Sequence, residues 1–565
     1  MADASGTARG RAQPDFRAYS SDDQIPNARF YFIESTAPDN VEQRVDPGGA
    51  SPKGLTSVDP DKAAREIAET LTPSDDPEVD ANLVILVHGV NTPRDRALEF
   101  YGKALAAIEG DRDALFDDAT RRTVWVAYRW PSEGIGSVLS SSVSAFPTLP
   151  LVILAVSALA IALGVWLVAA AFKFAGLIET ELTRHLMARI IVVCGLAMFV
   201  LVIFALLRAL TYFRDVYRAT NHGAPDLVEV IRQIDREARQ RLRDLGQAAG
   251  PSPRRRIALS FVGHSMGGLI VTNAIRVLSD VFSEDVIRTY LSGTLRPEIA
   301  AREREGKDDE VPDRLGHVFA LRRFVLISPD IPAEALLADR ANFLASSLRR
   351  FREAYLFSNE GDEILRANST SLNYFTFPTK SRIYGYRLGN AEILASAFGA
   401  APPGANPLDV VRAGTKPLSF LSDNTTRGQK PASVARAFTF FDCTDYKDGE
   451  PPRGMLSEAK NFKRNDPKAG IPLWEQLRLV ALYIVGRVDV HGGYFNGPVA
   501  QRLIYRLACL GYDRTVRSYG GEDAMLTECA DHQIRVLLSH RLRTTRTARE
   551  PMDLSDGPAA GGRHS

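Results

Sequence analysis

The sequence predicts an α/β fold in which a mostly parallel sheet is covered by helices on both faces and is interrupted by a two-helix transmembrane hairpin. Three observations lead to this fold class. Several short runs are apolar throughout, which is typical of strands buried on both faces of a parallel sheet. Helix-like segments separate these runs, as in βαβ units. Two uncharged runs of membrane-spanning length lie between predicted strands.

The composition argues against several classes of protein. The 69 Lys and Arg residues against 68 Asp and Glu residues leave a net charge of +1, so no overall field attracts nucleic acid and no nucleic-acid partner is expected. The cysteines are scattered without C-x-x-C spacing, which favours reduced or buried thiols over a disulfide framework or a zinc site. They are Cys194, Cys443, Cys509 and Cys529.

The predicted strands follow one another along the chain. An early strand is expected in ARFYFIEST, and the first strong one is ANLVILVHGVN, whose apolar run from Leu83 to Val87 ends at Gly89. The helix-like segment RDRALEFYGKALAAIEG comes next, and the strand in TVWVAYRWPS is stopped by Pro131. Further strands are predicted in RRIALSFVGH, RRFVLISPD, REAYLFSNEGD and ARAFTFFDCTDY.

Polar segments set the predicted domain boundaries. Residues 1–27 lack the apolar core of a signal peptide and are expected to be disordered, as is the Pro-, Gly- and Asp-rich stretch 39–61. The predicted parts are a disordered lead-in (1–27), the first part of the α/β domain (28–148), the transmembrane hairpin (149–210), the rest of the domain (211–510) with a Pro/Gly-rich surface insertion at about 400–431, and a C-terminal helical extension with a disordered tail (511–565).

The two uncharged runs extend over Leu149–Phe172 and Ile190–Leu207. Runs of about 18 to 24 residues, at a rise of about 1.5 Å per residue, each cross a hydrocarbon core of about 30 Å. Helices of globular domains normally keep a polar stripe, whereas these runs are apolar all round, so they favour a membrane hairpin. The alternatives are a hydrophobic lid and a hairpin that lies flat on the bilayer. A hairpin returns the chain to the side that it left, so strands on both sides of it can join one sheet.

The most specific motif is FVGHSMGG, which contains G-x-S-x-G around Ser265. An apolar strand, IALSFV, precedes the motif and an amphipathic helix, GLIVTNAIRVL, follows it, which is the context of a sharp turn that exposes a nucleophile. Glycines flank the serine because side chains there would collide with the neighbouring strand and helix. Ser265 is therefore the candidate nucleophile; the alternative is a glycine-rich turn with a spectator serine.

The chain resembles the α/β-hydrolases and, within them, a group of uncharacterised bacterial membrane-associated serine hydrolases. The motifs that carry this resemblance lie between about Leu83 and Phe495 and are VILVHGVN, YRWPSEG, YFRDVYRA, FVGHSMGG, VLISPDIP and HGGYF. The resemblance implies the α/β-hydrolase fold and a catalytic triad in the chain order Ser, acid, His. Because no signal peptide is predicted, we expect a bacterial inner-membrane protein whose hydrolase domain is cytoplasmic.

The triad order places the general base late in the chain. His491 lies in the glycine-rich segment VGRVDVHGGYFNGP, whose glycines leave the loop free to aim an imidazole at the nucleophile. His532 and His540 lie in a helical, Arg-rich stretch and are poorer candidates. His88 and His264, which stand next to the predicted strand ends, are interpreted as residues that shape their loops.

The acid and the oxyanion donors follow from the same resemblance. The acid is expected at the end of the strand in EAYLFSNEGDEIL, where Asp362 matches, while Glu360 beside it and Asp330 in LISPDIP remain alternatives. The candidate oxyanion donors are the backbone N–H groups of Met266, directly after the nucleophile, and of Val90, after an earlier strand. The long interval between the acid and the base contains the Pro/Gly-rich insertion, which is either a cap over the site or a disordered insertion.

These residues predict a membrane-anchored serine hydrolase that cleaves a carboxylic ester through an acyl-enzyme. Membrane attachment favours a lipid or amphiphilic ester as the substrate and the bilayer as a partner, while protein partners stay undetermined. The alternatives are an amidase or thioesterase, and a non-catalytic, membrane-bound interaction scaffold that keeps the hydrolase fold. No H-E-x-x-H, P-loop or dinucleotide motif occurs in the sequence, so no cofactor and no metal is expected.

Overall fold

A computed structural model describes the chain mainly on either side of the predicted hairpin. The described residues are 16–21, 27–38, 49, 51–73, 80–116, 121–132, 164, 166, 170, 211–246, 257–282, 314–315, 318–336, 347, 350–369, 386–394, 397–402, 404–414, 416–420, 434–448, 453–454, 471, 473–484, 487–540 and 542. Apart from three isolated positions, the hairpin predicted at 149–210 lies outside these residues. None of the helices that the structure does describe is both long enough and apolar enough for a membrane crossing.

One large sheet organises the described part of the chain. In chain order the strands are β1 (Phe16–Ser21), β2 (Ala28–Ser35), β3 (Leu55–Val58), β4 (Asp80–Val87), β5 (Arg121–Arg129), β6 (Ile257–His264), β7 (Arg314–Leu315), β8 (Phe319–Ile327), β9 (Glu353–Ser358), β10 (Ala391–Ile393), β11 (Gly399–Ala400), β12 (Val411–Ala413), β13 (Lys416–Pro417), β14 (Phe438–Asp442), β15 (Lys447–Asp448), β16 (Arg453–Gly454) and β17 (Arg535–Leu537).

The order of strands across the large sheet is β11-β17-β14-β9-β8-β6-β4-β5-β2-β1-β3, with β7 paired to β8. Every neighbouring pair from β14 to β2 in this order is parallel. Antiparallel pairs occur toward the edges, where β1 joins β2 and β3, and β17 joins β14. The predicted α/β class with a mostly parallel sheet is confirmed, and β6 lies near the centre of the sheet.

The central strands are apolar throughout because their side chains enter two different cores. In β4, Leu83, Ile85 and Val87 pack into the core on one face of the sheet. Val84 and Leu86 pack into the core on the opposite face. Since successive side chains of a strand point to opposite faces, burial on both faces requires the continuous apolar run from which this strand was predicted.

Helices cover both faces of the sheet. Helices α1, α4 and α5 contribute to one core, and α2 and α8 contribute to the other. In chain order the helices are α1 (Pro60–Leu71), α2 (Arg94–Gly110), α3 (Arg112–Phe116), α4 (Ala224–Asp244), α5 (Met266–Phe282), α6 (Pro407–Val410), α7 (Leu473–Ile484), α8 (Pro498–Leu510), α9 (Tyr512–Ser518) and α10 (Glu522–Asp531).

Helix α1 illustrates how the sequence forms these helices. Asp59 caps its start, since the Asp59 carboxylate accepts from the N–H groups of Asp61 and Lys62. Its buried residues are spaced three or four apart, which places them on one face against the sheet and α4. They are Ala63, Ala64, Ile67, Ala68 and Leu71.

The prediction of disorder near the N-terminus is wrong for two strands. β1 lies within the predicted lead-in 1–27 and pairs antiparallel with β2. β3 lies within 39–61 and pairs with β1. Both strands are short and rich in polar residues, so they lack the apolar periodicity from which strands are predicted. Long-range pairing at the sheet edge, rather than local sequence, gives them their structure.

Two domain boundaries also differ from the prediction. The predicted C-terminal extension does contain α9 and α10, but β17 follows them and pairs with β14, so the α/β domain continues past residue 510. In the insertion predicted at 400–431, Val411 and Ala413 are fully buried in one of the two main cores. The described part of that insertion is therefore packed against the domain and is not a surface excursion.

The turn between β6 and α5 is too tight for a side chain at Gly263 or Gly267. A Cβ atom on Gly263 would lie 2.7 Å from the Cα of Gly268. One on Gly267 would overlap the carbonyl oxygen of Val87, the last residue of β4. Both neighbours are backbone atoms, which cannot rotate away as a side chain can. The glycines therefore allow α5 to start directly against the neighbouring strand.

We predict that Gly267→Ala lowers the free energy of unfolding by at least about 2 kcal/mol, because the added methyl overlaps the backbone of β4. Gly102→Ala is the matched control: Gly102 lies inside α2 with open space around it, so alanine should stabilise the protein by about 0.5–1 kcal/mol. Urea unfolding followed by tryptophan fluorescence measures both. Equal midpoints for Gly267→Ala and the wild type would contradict the tight packing at this turn.

Candidate active site

The candidate residues lie at the carboxyl end of the parallel sheet. Ser265 follows β6, Val90 lies in the loop after β4, and Asp362 lies in the loop after β9. Because parallel strands end at the same edge of the sheet, these loops meet there. His491 reaches the same place from the loop between α7 and α8. Four segments that are distant in sequence thus build the site.

Ser265 occupies the sharp turn in a left-handed backbone conformation, with a φ of 54°. Its N–H donates to the carbonyl of Ile327 at 2.9 Å, and its carbonyl accepts from the N–H groups of Gly268 and Asp330, each at 3.1 Å. A left-handed conformation costs a residue with a side chain about 1–2 kcal/mol, and these three bonds hold the serine in it. This conformation is typical of a nucleophile at a strand-to-helix turn.

Asp362 and His491 form a close pair. The Oδ2 atom of Asp362 lies 2.6 Å from Nδ1 of His491, and both residues are buried. A carboxylate can only accept, so Nδ1 carries the proton and Nε2 is the basic nitrogen of the neutral imidazole. Nε2 is buried and has no hydrogen-bond partner among the described residues. The pair therefore holds the tautomer that a general base requires.

A second serine orients the carboxylate. Ser328, directly after β8, has a φ of 42° and donates its hydroxyl to Oδ2 of Asp362 at 2.5 Å. The N–H of Leu365 donates to the other oxygen, Oδ1, at 3.2 Å. The Asn390 amide donates to the Asp362 carbonyl at 3.0 Å. Ser328 is not predicted from the sequence; its only signal there is a position directly after a buried strand.

The two alternative acids have other partners. Asp330 forms an ion pair with Arg387, with 3.0 Å between Oδ1 and Nε. Glu360 forms an ion pair with Arg412, with 3.3 Å between Oε1 and Nη2. Of the three carboxylates proposed from the sequence, Asp362 is the one that contacts the imidazole of His491.

The loop that carries His491 is fixed by two residues that the sequence did not single out. The side-chain amide of Asn359 donates to the carbonyl of Val490 at 2.8 Å. The Oδ1 atom of Asp489 accepts from the N–H groups of His491 at 3.2 Å and Gly492 at 2.7 Å. Asn359 belongs to the loop that carries the candidate acid. The loops of acid and base are therefore joined by this side-chain-to-backbone bond as well as by the contact between Asp362 and His491.

His264, next to the nucleophile, supports the same loop. Its Nε2 lies 3.1 Å from the carbonyl oxygen of His491, and because a carbonyl only accepts, Nε2 carries a proton. The rings of Phe100 and Phe495 pack around it, with centroids 6.2 Å and 5.2 Å away. Burial, followed by the charge of His491, lowers the pKa of His264 to about 3. His264 is thus neutral, and its contacts support the structural role expected from the sequence.

The pKa of His491 is shifted in the opposite direction. Burial alone lowers the pKa, but the charge and hydrogen bond of Asp362 raise it, and the charges of Asp489 and Asp330 act in the same sense. The net effect places the pKa above its ordinary value of 6.5. An imidazole with a raised pKa is a stronger base, and nearby carboxylates stabilise the imidazolium that forms when it takes up a proton.

The candidate oxyanion donors lie on both sides of the serine. A Cβ atom on Gly89 would lie 2.8 Å from the Cβ of Ser265, so the loop after β4 passes directly beside the nucleophile. Val90 is the next residue in that loop. The N–H of Met266 is the first of α5 and has no acceptor within the helix. Both predicted donors are therefore in segments adjacent to Ser265.

His88 shapes the loop that carries Val90. Its Nδ1 donates to the carbonyl of Gly89 at 2.8 Å, and its ring stacks on Trp130 with 5.5 Å between centroids. The indole N–H of Trp130 donates to the His88 carbonyl at 2.9 Å. Burial lowers the pKa of His88 to about 3, so the ring is neutral. These contacts agree with the loop-shaping role interpreted from the sequence.

The described residues contain no cluster of three or more His, Cys, Asp or Glu side chains that could hold a metal ion. Three of the cysteines, Cys443, Cys509 and Cys529, are described, and all three are buried free thiols. No family model, no curated protein and no solved structure matches the chain. The chemical interpretation therefore rests on the geometry of this site.

We predict that the two adjacent histidines titrate in different pH ranges. His491 should gain a proton as the pH falls through a value above 6.5, whereas His264 should still be neutral at about pH 5. ¹⁵N NMR of the imidazole groups measures both, with His491→Gln to assign the signal. In Asp362→Asn the His491 pKa should fall, because its strongest stabilising charge is lost. A protonated His264 at about pH 5 would contradict the burial of that ring.

Proposed function

We propose that this chain is a serine hydrolase of the α/β-hydrolase type that cleaves a carboxylic ester. The observation that carries the proposal is the buried Asp362–His491 pair, together with a serine in a left-handed turn whose neighbour His264 contacts the His491 carbonyl and ring. A buried carboxylate that is bonded by a serine in a left-handed backbone conformation, as Asp362 is by Ser328, is a costly arrangement for stability alone. The motif resemblance and the parallel sheet support the same assignment.

The proposed reaction proceeds in two steps. Ser265 Oγ forms a bond to the ester carbonyl carbon as its proton passes to Nε2 of His491, and Asp362 stabilises the resulting imidazolium. The N–H groups of Val90 and Met266 donate to the oxyanion. The carbon–oxygen bond to the alcohol then breaks, and the alcohol leaves with the proton from the imidazolium. Water, deprotonated by the imidazole, attacks the acyl-enzyme in the same way and releases the acid.

We also propose that the protein works at a membrane, on a lipid or another amphiphilic ester. This part of the proposal rests on the apolar runs Leu149–Phe172 and Ile190–Leu207, which favour a hairpin anchor in a bacterial inner membrane. A tethered site samples the interface, where amphiphilic esters accumulate.

We predict that a fluorophosphonate probe labels the wild-type protein in isolated membranes and that Ser265→Ala and His491→Ala abolish the labelling, because the probe needs an activated serine. The labelled band should stay in the pellet after alkaline carbonate treatment. Ser260→Ala and His532→Ala are matched controls. Ser260 is buried on β6, the strand that precedes Ser265, and donates to Asn82; His532 contacts the Lys447 carbonyl, so both variants should label normally.

Two results would contradict this prediction. Labelling that persists in Ser265→Ala would place the reactive nucleophile elsewhere, and release of the protein by carbonate would exclude an integral anchor. An intact wild-type protein that does not react with the probe would favour a hydrolase fold without hydrolysis. Activity on amides or thioesters but not on chromogenic esters would keep the triad and change the bond that it cleaves.

We predict that Asp362→Asn lowers kcat on a p-nitrophenyl ester by about 10⁴-fold, because an amide cannot hold the imidazole in the required tautomer. Asp442→Asn is the control: Asp442 is a buried carboxylate at the end of the adjacent strand β14, where it accepts from the N–H groups of Ile393 and Thr444. That variant should retain most of the activity. Near-normal turnover of Asp362→Asn, with loss in Asp330→Asn or Glu360→Gln, would move the acid to one of those residues.

A further inference from the structure

Two of the motifs that carry the resemblance, YRWPSEG and YFRDVYRA, take no part in the proposed triad. In the structure they meet at the loop after β4. Ser132 comes from the first motif and Asp215 from the second, and both are fully buried. Asp215 lies in the helical residues 211–218, which come directly after the predicted hairpin. Ser132 and Asp215 thus contact the loop that carries Val90, a candidate oxyanion donor, and this suggests a function for their contacts.

Asp215 binds both the loop after β4 and the segment that follows β5. Its Oδ2 accepts from the N–H of Asn91 at 3.2 Å and from the hydroxyl of Ser132 at 2.8 Å. The Ser132 oxygen in turn accepts from the N–H of Thr92 at 3.2 Å. Two successive backbone amides of the loop are thus held by one carboxylate and the serine attached to it.

The loop held in this way is short and turns sharply. Asn91 has a φ of 54°, a left-handed conformation that asparagine adopts more readily than most residues with a side chain. The hydroxyl of Thr92 lies 3.1 Å from the carbonyl oxygen of Gly89 and 3.0 Å from that of Val90. Gly89 itself packs against the Cβ of Ser265. The peptide N–H of Val90 therefore lies between two anchors of the loop. One is the contact of Gly89 with Ser265, and the other is the pair of hydrogen bonds from Asn91 and Thr92 to Asp215 and Ser132.

The direction of a backbone N–H is set by the dihedral angles on both sides of it. An oxyanion donor is effective when it is held toward the position where the charge develops, and loss of one donor costs about 10²–10³ in kcat. With only the anchor at Gly89, the peptide before Val90 could rotate. The second anchor, on Asn91 and Thr92, removes that freedom.

We propose that Asp215, together with Ser132, is a positioning residue that holds the Gly89–Thr92 loop so that the Val90 N–H points at the oxyanion. This inference rests on the proposed hydrolase function. It gives the two remaining motifs a shared purpose, since each supplies one side chain to the same loop. Neither residue touches the substrate, and both act through the backbone of Asn91 and Thr92.

The chemistry of Asp215 suits this task. Burial raises the pKa of Asp215 to about 6, and the hydrogen bonds from Ser132 and Asn91 and the charges of Arg214 and Arg218 oppose that rise. Above that pH the group is an anionic acceptor, which binds N–H and O–H donors more strongly than a neutral one does. The desolvation cost of a buried charge is at best offset by its bonds, so the presence of Asp215 is better explained by the loop geometry that it fixes than by stability.

The test compares Asp215→Ala, Asp215→Asn and Ser132→Ala with wild-type protein on p-nitrophenyl acetate. Asp215→Ala should lower kcat by about 10- to 100-fold, part of the effect of a lost oxyanion donor, with KM within about threefold. Asp215→Asn keeps an acceptor oxygen and should recover most of kcat. The inhibition constant of a trifluoromethyl ketone, whose adduct occupies the oxyanion site, should rise by the same factor as kcat/KM falls.

A matched control separates positioning from stability. Asp235 is a buried carboxylate on α4 that is paired with Arg239, so Asp235→Asn should leave kcat and the inhibition constant unchanged. If Asp215→Ala does not fold, Ser132→Ala carries the test, since it removes the oxygen that bridges Asp215 and Thr92. Folded variants with wild-type kcat and inhibition constant would overturn the inference, as would an Asp215→Asn variant as impaired as Asp215→Ala. Wild-type protein that fails to react with p-nitrophenyl acetate and with the fluorophosphonate would instead overturn the proposed function.

Discussion

The left-handed backbone of Ser265 is the constraint on which the rest of the described structure depends. It turns the chain from β6 into α5 within one residue. So sharp a turn brings the start of α5 back onto Gly263 and against the end of β4, which is why side chains are excluded at Gly263 and Gly267. The same approach brings the loop after β4 onto the serine and excludes a side chain at Gly89. The two large cores on the faces of the sheet supply the stability that keeps this strain in place.

Three carboxylates lie after the adjacent strands β8 and β9, and they differ in the charged group that each of them contacts. Asp330 and Glu360 each face an arginine, whose guanidinium keeps its charge at every physiological pH. Asp362 faces His491, whose charge can change near neutrality. A carboxylate bound to a permanent cation forms a fixed ion pair, whereas one bound to an imidazole responds to each proton that the imidazole gains or loses. The partner, and not the position along the chain, distinguishes the three.

The sequence predicted the central strands and the serine turn well because both are determined locally. Apolar runs follow from burial on two faces, and glycine spacing follows from a tight turn. β1 and β17, which lie beside the edge strands β3 and β11, were missed because they are short and their pairing with other strands leaves no local apolar pattern in the sequence. Ser328, Asn359 and Asp215 were missed for a related reason: their roles depend on distances between loops, and no local pattern encodes such a distance. The predicted hairpin lies outside the described residues.

The pairing of β4 has a consequence for how the protein is made. Its residue Asn82 is flanked by Thr123 of β5 on one side and by Ala258 of β6 on the other, and the predicted hairpin lies between those two partners in the sequence. During synthesis the first half of the sheet therefore emerges with an apolar strand edge that has no partner until β6 has been translated. Such high contact order slows folding and exposes the nascent chain to aggregation. A ribosome must also pass residue 491 before all the candidate residues exist, so the complete site is a late product of translation.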